Sequence, residues 1–450
     1  MSPLVVGATG LAGLVALIVV RLPIAYAMIL VGAGGIVALD GWTVLARQLE
    51  TLAYGQFASY ELSVVPMFVL MGFLATEAGL SRRLFRAANA WLGHLRGGVA
   101  MAAIAACGGF GAVCGSSLAT ATTMGQVALP ELRRLGYAGS LATGAVAAGG
   151  VLGILIPPSV VLVVYAVIVE ADIVAMFQAA LVPGLLALAL FLVTTAIYVR
   201  LAPGTGPAGA PVSRAERRAA TLGVLPVLAI FGLVVGGIYA GLFTPTPAAA
   251  IGVGLVGLYG AVTGAIGLAE ARAALLRTAA TTAMIYLILL GAELFSIFMA
   301  RGGVPQAAAA WMAETALAPM LVLIVLLLVL VVLGCLMDSL SMILLAVPFC
   351  WPILVELNGG AYVPAAEAAF GMTTDDLEIW FGILALVVVE LGLITPPVGL
   401  NVFVIASLAR DVALIQIFKG VAPFVVAEIL RVALLLAFPV LTLGVVHALG

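Results

Sequence analysis

Residues 153–167 read GILIPPSVVLVVYAV, and residues 392–406, about 240 positions further on, read GLITPPVGLNVFVIA. Each run is apolar enough for a membrane helix, yet each carries a Pro-Pro pair in its middle. Proline has no N–H to give to the preceding turn, and its ring clashes with that turn. The residue before it is also pushed away from helical backbone. Both runs are therefore expected to be helices broken at mid-length. The chain writes the same break twice.

Composition sets the surroundings of these breaks. The 450 residues are 65% hydrophobic and only 8% charged, against about 25% charged in soluble domains. Several nearly uncharged windows are long enough to cross a bilayer as helices. A membrane β-barrel would alternate polar and apolar residues over segments of about 10, and no such segments occur. The fold class expected is an all-α polytopic membrane protein. The net charge of −2 gives no sign of a nucleic-acid partner. Cys107, Cys114, Cys335 and Cys350 lie in apolar segments without a CxxC pair and read as small buried hydrophobes. His94 and His447 have no metal-binding companions in sequence. Residues 4–20 lack a charged leader and a cleavage site, so they read as a retained span.

Orientation follows from the bias of Lys and Arg toward cytoplasmic loops. Arg82, Arg83, Arg86 and Arg96 precede an apolar, Gly/Ser/Thr-rich stretch at 98–130, and Arg133 and Arg134 follow it. With both flanks basic, that stretch is expected to enter and leave from the cytoplasm as a re-entrant hairpin. The first broken run, 139–169, ends at the acidic pair Glu170 and Asp172, and the return helix ends at Arg200. APGTGPAGAP (202–211) is the longest polar linker. In the second half, residues 318–354 are interrupted by GCLMDSLS (334–341) and followed by Glu356, Glu367, Asp375, Asp376 and Glu378. That hairpin is expected to face outward. Of the 18 Lys and Arg, all but Arg47, Arg301 and Arg431 fall on the cytoplasmic side of this arrangement, with both termini periplasmic.

The expected division is N-terminal scaffold helices (1–97), a first repeat (98–200; hairpin 98–130, broken helix 139–169) and a linker with scaffold or arm helices (201–300). A second repeat (301–417; hairpin 318–354, broken helix 379–408) and a C-terminal helix (418–450) complete it. Two such halves in opposite orientation form an inverted repeat. Inverted repeats with interrupted helices are a signature of secondary transporters, whose substrate site lies at the repeat interface.

Broken backbone inside a bilayer is tolerated only within protein or beside a water-filled cavity. At each break the upstream half-helix ends in free carbonyls and the downstream half starts with free N–H groups. Carbonyls suit a small cation and N–H groups an anion. The hairpin tips add hydroxyls at Ser116, Ser117, Thr120, Thr122, Thr123, Ser339 and Ser341 and the carboxylate of Asp338. Hydroxyls and carbonyls are the hard oxygens that sodium takes. The same small polar residues also serve to pack membrane helices closely. Asp338 is the leading intramembrane acid. Glu428 and Arg431, three residues apart, read as a structural pair. Glu390, two residues before the second broken turn, either orients that turn or is structural, and Glu293 stays uncommitted.

The stretches SVVPMFVLMG (63–72), CGSSLATATTMGQVALPEL (114–132), GILIPPS (153–159), MDSLSMILLAVP (337–348) and LGLITPPVGLNVFV (391–404) occur in order across most of the chain. In these the chain resembles the large membrane subunit of tripartite ATP-independent periplasmic (TRAP) transporters, the DctM-like family. The resemblance implies an elevator-type carrier, similar to the ion-transporter superfamily, with uptake driven by sodium as the coupling ion and no organic cofactor. It implies as partners a periplasmic substrate-binding protein, a small four-helix membrane subunit on a separate chain, membrane lipid and a small organic-acid substrate. The implied location is the bacterial or archaeal cytoplasmic membrane.

By position, the family's sodium elements fall on Ser116, Ser117 and the turn from Gly153 to Pro157. In the second half they fall on Asp338 and Ser339 with Gly392, Thr395 and Pro396. Thr120, Pro158, Ser159, Pro397 and Asn401 are the candidate substrate contacts beside them. Cys114 replaces a small polar residue of many relatives, and a thiol is a poor sodium ligand. A stand-alone sodium-coupled dicarboxylate or anion symporter or antiporter of related architecture is the alternative. Enzyme chemistry is not expected: an intramembrane protease needs a Ser–His dyad or paired aspartates, and both histidines are peripheral. ATP-driven pumping would need a Walker A loop, which the sequence lacks.

Overall fold

The computed structural model of the chain describes residues 2–20, 22–314 and 317–449. Twenty α-helices and a short 3-10 turn at Glu61–Ser63 make up the described residues, with no strand among them. The first group is α1 (Pro3–Val19), α2 (Ile24–Asp40), α3 (Trp42–Phe57), α4 (Val64–Glu77) and α5 (Leu80–Leu92). Next come α6 (Gly98–Cys114), α7 (Ser117–Arg134), α8 (Gly139–Leu155), α9 (Val160–Val169) and α10 (Ile173–Leu201). A middle group follows: α11 (Arg214–Tyr239), α12 (Pro245–Val262), α13 (Leu268–Gly302) and α14 (Val304–Glu314). The last group is α15 (Pro319–Gly334), α16 (Ser339–Asn358), α17 (Thr374–Gly392), α18 (Leu400–Leu408), α19 (Leu414–Ala437) and α20 (Val440–Leu449).

Among the described residues, α10, α11, α12, α13, α16 and α19 are each long and apolar enough to cross a membrane alone. The pair α8 and α9 qualifies as one span bent by 44°. The chain is a polytopic α-helical membrane protein.

The helices end where the backbone chemistry requires it. Pro130, Pro183, Pro226, Pro348, Pro352 and Pro423 all sit inside helices. A single proline is thus accommodated, as packed membrane helices allow. The Pro-Pro pairs are not. Both fall between helices, α8 from α9 and α17 from α18, and both Pro-Pro bonds are cis. Several boundaries differ from the sequence reading. The hairpin arms run on to Arg134, Pro130 not stopping its helix, and to Asn358, and the second broken helix starts at Thr374, where the Thr373 hydroxyl oxygen accepts from the Asp376 N–H. The segment expected as one C-terminal helix is two, parted at Phe438 and Pro439.

The packing map repeats itself. Both arms of the first hairpin, α6 and α7, pack on α8, and both arms of the second, α15 and α16, pack on α17. The downstream half-helices cross over: α9 packs on α16 and α18 on α7. Likewise α19 packs on α8 and α10 on α17. Exchanging α6–α10 for α15–α19 leaves all these pairings in place. Outside this set, α13 packs on α2 and α4, α12 on α4, and α11 on α5.

Candidate functional site

Glycine seats each hairpin on its broken helix. A methyl group on Gly111 would overlap the Gly153 Cα, and one on Gly392 would lie 2.6 Å from the Gly334 carbonyl carbon. Only residues without a Cβ let the backbones approach this closely. The contacts bring each hairpin's first arm against the end of the upstream half-helix.

The tips then turn on capped starts. Ser116 Oγ accepts from the Ala119 N–H at 3.4 Å and so opens α7. Asp338 does the same for α16, accepting from the Ser341 N–H at 3.2 Å and the Ser341 hydroxyl at 2.6 Å. Ser159, fully buried, caps α9 through the Leu162 N–H at 3.4 Å. Gly399, in left-handed backbone, precedes α18, and its N–H donates to the Cys335 carbonyl at 3.2 Å. The N-terminal ends of α7, α9, α16 and α18 therefore belong to the tips and breaks, and partial positive charge gathers at such ends.

At the breaks the missing proline donors strand specific carbonyls. Pro157 follows Gly153 by four residues and Pro396 follows Gly392 by four, so neither carbonyl has its helical donor. In the second turn the Gly392 carbonyl takes the Thr395 N–H instead, at 3.1 Å, and the Thr395 hydroxyl donates to the Leu391 carbonyl at 2.6 Å. The two turns differ in setting: Pro157 and Pro158 are buried, whereas Pro396 and Pro397 are exposed.

Two buried oxygens beside these turns have no partner. Thr120 is fully buried with its Oγ1 unpaired, 2.5 Å from the place a Gly153 Cβ would take. Asn401 is fully buried too; its Nδ2 donates to the Ala147 carbonyl at 3.4 Å while its Oδ1 is unpaired. Unpaired buried oxygens are costly unless something binds them.

A cavity of about 520 Å³ lies between the tips, within the range of small-ligand sites. Ser116, Ser117, Asp338 and Ser339 line it, together with Gly72 and Phe73 of α4 and Thr281 and Met284 of α13. The other candidates, Thr120, Gly153, Pro157, Pro158, Ser159, Gly392, Thr395, Pro396, Pro397 and Asn401, lie outside its wall.

With this geometry in view, comparison with known proteins is informative. The family described as "Tripartite ATP-independent periplasmic transporter, DctM component" matches residues 11–441. The chain belongs to that family. A DctM relative, the C4-dicarboxylate TRAP transporter large permease protein DctM of Pseudomonas aeruginosa, is 35% identical over 407 residues, 90% of each chain. The sialic acid TRAP transporter large permease protein SiaM of Vibrio cholerae is 30% identical over 442 residues, 96% of each chain. Among solved structures, the YdaH transporter of Alcanivorax borkumensis shares the fold with a TM-score of 0.61 at 15% identity, covering 91% of both chains. As a DctM component, the chain is a large permease subunit, and the relatives it matches are named as permease subunits rather than enzymes.

Some residues of this DctM site take on a role that the sequence reading left open or did not mark. Glu390 is fully buried, and its carboxylate accepts the Ser117 hydroxyl at 2.5 Å and the Ser339 hydroxyl. Its signal in sequence is an acid inside an otherwise apolar run, which alone does not name a partner 273 residues away. Gly111 and Gly334 carry no signal, since nothing separates them from the other 50 glycines. Glu428 and Arg431 do form the expected ion pair, fully buried. Glu293 lines a separate cavity of about 260 Å³ with Glu170.

Proposed function

We propose that this permease carries a small organic acid across the bacterial or archaeal inner membrane, driven by a sodium gradient. A separate small four-helix subunit completes its scaffold, a periplasmic binding protein delivers the substrate, and both termini lie on the periplasmic side. The observation that carries this reading is the joint presence, around the two hairpin tips, of four half-helix N-terminal ends and of unpaired or unhelical oxygens. N-terminal ends favour an anion and oxygens a hard cation. A site that offers both suits a carboxylate moving with sodium. One relative is named for C4-dicarboxylates and another for sialic acid, both acids.

One sodium ion is assigned to Ser116, Ser117 and the Gly153–Pro157 turn, where the unpaired Thr120 hydroxyl is in reach of Gly153. A second is assigned to Asp338 and Ser339 with Gly392, Thr395 and Pro396. Thr120, Pro158, Ser159, Pro397 and Asn401 are the proposed substrate contacts. The self-matching packing of α6–α10 and α15–α19 supports an inverted repeat, and the pairing of α11–α13 with α2, α4 and α5 supports a scaffold against which it slides as an elevator. The ion pair of Arg133 with Asp411 joins the basic end of the first hairpin to the loop after α18, in keeping with a shared cytoplasmic side.

Reconstitution in vesicles tests this. The chain with its small subunit, supplied with the binding protein, should accumulate labelled dicarboxylate or sialic acid only under an inward sodium gradient. Equal uptake with potassium in place of sodium would refute the coupling. Equal uptake without the binding protein would favour the stand-alone symporter.

A further inference from the structure

Glu390 belongs to α17 of the second half, yet its carboxylate gathers a hydroxyl from each hairpin. Ser117 is the first residue of α7 and Ser339 the first of α16. They directly follow Ser116 and Asp338, which cap those helices and stand in the two proposed ion sites. Glu390 also sits two residues before Gly392, where the second helix breaks. One side chain thus joins the first tip, the second tip and the second broken turn.

Packing does not account for an acid here. Burying a carboxylate among apolar helices is unfavourable, and even when paired an apolar side chain of similar volume is often no less stable. Nor does the repeat account for it. The contacts of Gly111 with Gly153 and of Gly334 with Gly392 set the register between the halves, and in that register Val151 stands where the second half has Glu390. The bridge has no counterpart at the matching position of the first half. Arg431 and Glu428 lie on α19, which packs on α17, and they are already paired with each other.

We propose that Glu390 is a positioning residue that holds the two hairpin tips to each other, so that an ion taken up at one tip changes the affinity at the other. This rests on the sodium-coupled reading above. Linked sites of this kind bind cooperatively, and a bridge of hydrogen bonds between the two tips supplies the link.

The test is the sodium dependence of initial uptake by the whole transporter in vesicles, with small subunit and binding protein present. The wild type should give a sigmoidal curve. Glu390→Leu, which keeps the bulk and removes both hydrogen bonds, should bring the Hill coefficient to about 1. Glu390→Gln should keep the sigmoid, because an amide can accept from one serine and donate to the other. Glu390→Met, a second apolar side chain of similar length, should match Glu390→Leu, which covers the case of Glu390→Leu failing to assemble, and both leave Ser117 and Ser339 of the proposed ion sites intact. A role in stability alone would lower the amount of transporter and leave the Hill coefficient unchanged. An unchanged coefficient in Glu390→Leu or in Glu390→Met overturns the proposal. So does its loss in Glu390→Gln, which would make the charge itself the requirement, and so does a hyperbolic curve in the wild type. Uptake indifferent to sodium in the wild type fails the sodium reading instead, and is told apart by that result.

Discussion

Gly334 and Gly392 meet backbone to backbone, with room for no side chain: a methyl group on Gly392 would lie 2.6 Å from the carbonyl carbon of Gly334 and 2.9 Å from the Cys335 nitrogen. Neither obstacle is the flexible end of a side chain. Gly392→Ala is therefore expected to push the second hairpin off its half-helix, at a cost of about 1–3 kcal/mol or more. Thermal unfolding in detergent should show a lowered midpoint, and uptake should fall. Gly254→Ala in α12 is the matched control: nothing lies within 4 Å of its added methyl group. That change should leave the midpoint unchanged or slightly raised.

The Pro-Pro pair at Pro157 and Pro158 separates α8 from α9, whereas the lone prolines Pro130 and Pro183 stay within helices. Replacing both with Leu restores the missing donors and favours a continuous helix. Uptake should be lost while the protein still reaches the membrane. Normal uptake in that variant would refute the account of the break.

Asp338 has two separable duties, as the cap of α16 and as the proposed ion ligand. Asn caps a helix about as well as Asp. Asp338→Asn should hold stability while raising the sodium concentration needed for half-maximal uptake. Asp338→Ala should do the same and also destabilise by about 1 kcal/mol. Sodium titration of uptake and thermal unfolding, measured together, separate the two.

Glu428 and Arg431 are both fully buried, and Arg431 Nη1 also donates to the Pro183 carbonyl at 3.4 Å. Removing one partner leaves an unpaired buried charge, which costs about 3–5 kcal/mol. Glu428→Leu or Arg431→Met alone should sharply lower the thermal midpoint. The double change should recover most of the loss. A double variant as unstable as the single ones would count against a purely structural pair.

How much of this was legible in the sequence depends on whether the cause is local. The breaks at Pro157 and Pro396 were, because a missing N–H acts on a carbonyl four residues away. The tips at Ser116 and Asp338 were, since a cap needs only the next turn. The extent of α7 was not: whether Pro130 stops a helix depends on the neighbours that pack around it. Glu390 shows the larger gap. Its carboxylate draws meaning from Ser117 and Ser339, and that meeting is made by the fold. Gly111 and Gly334 were silent for the same reason, since close approach is a property of two backbones at once.

The unequal halves have an ancestral consequence. Two copies of the front half, joined in tandem, would set Val151 at both central positions and leave Ser117 and its twin with no acceptor. Two copies of the rear half would send a pair of acids toward one another in a dry interior, where like charges repel. A duplicated gene could lay down this architecture, and divergence at that position is what lets one acid serve both tips.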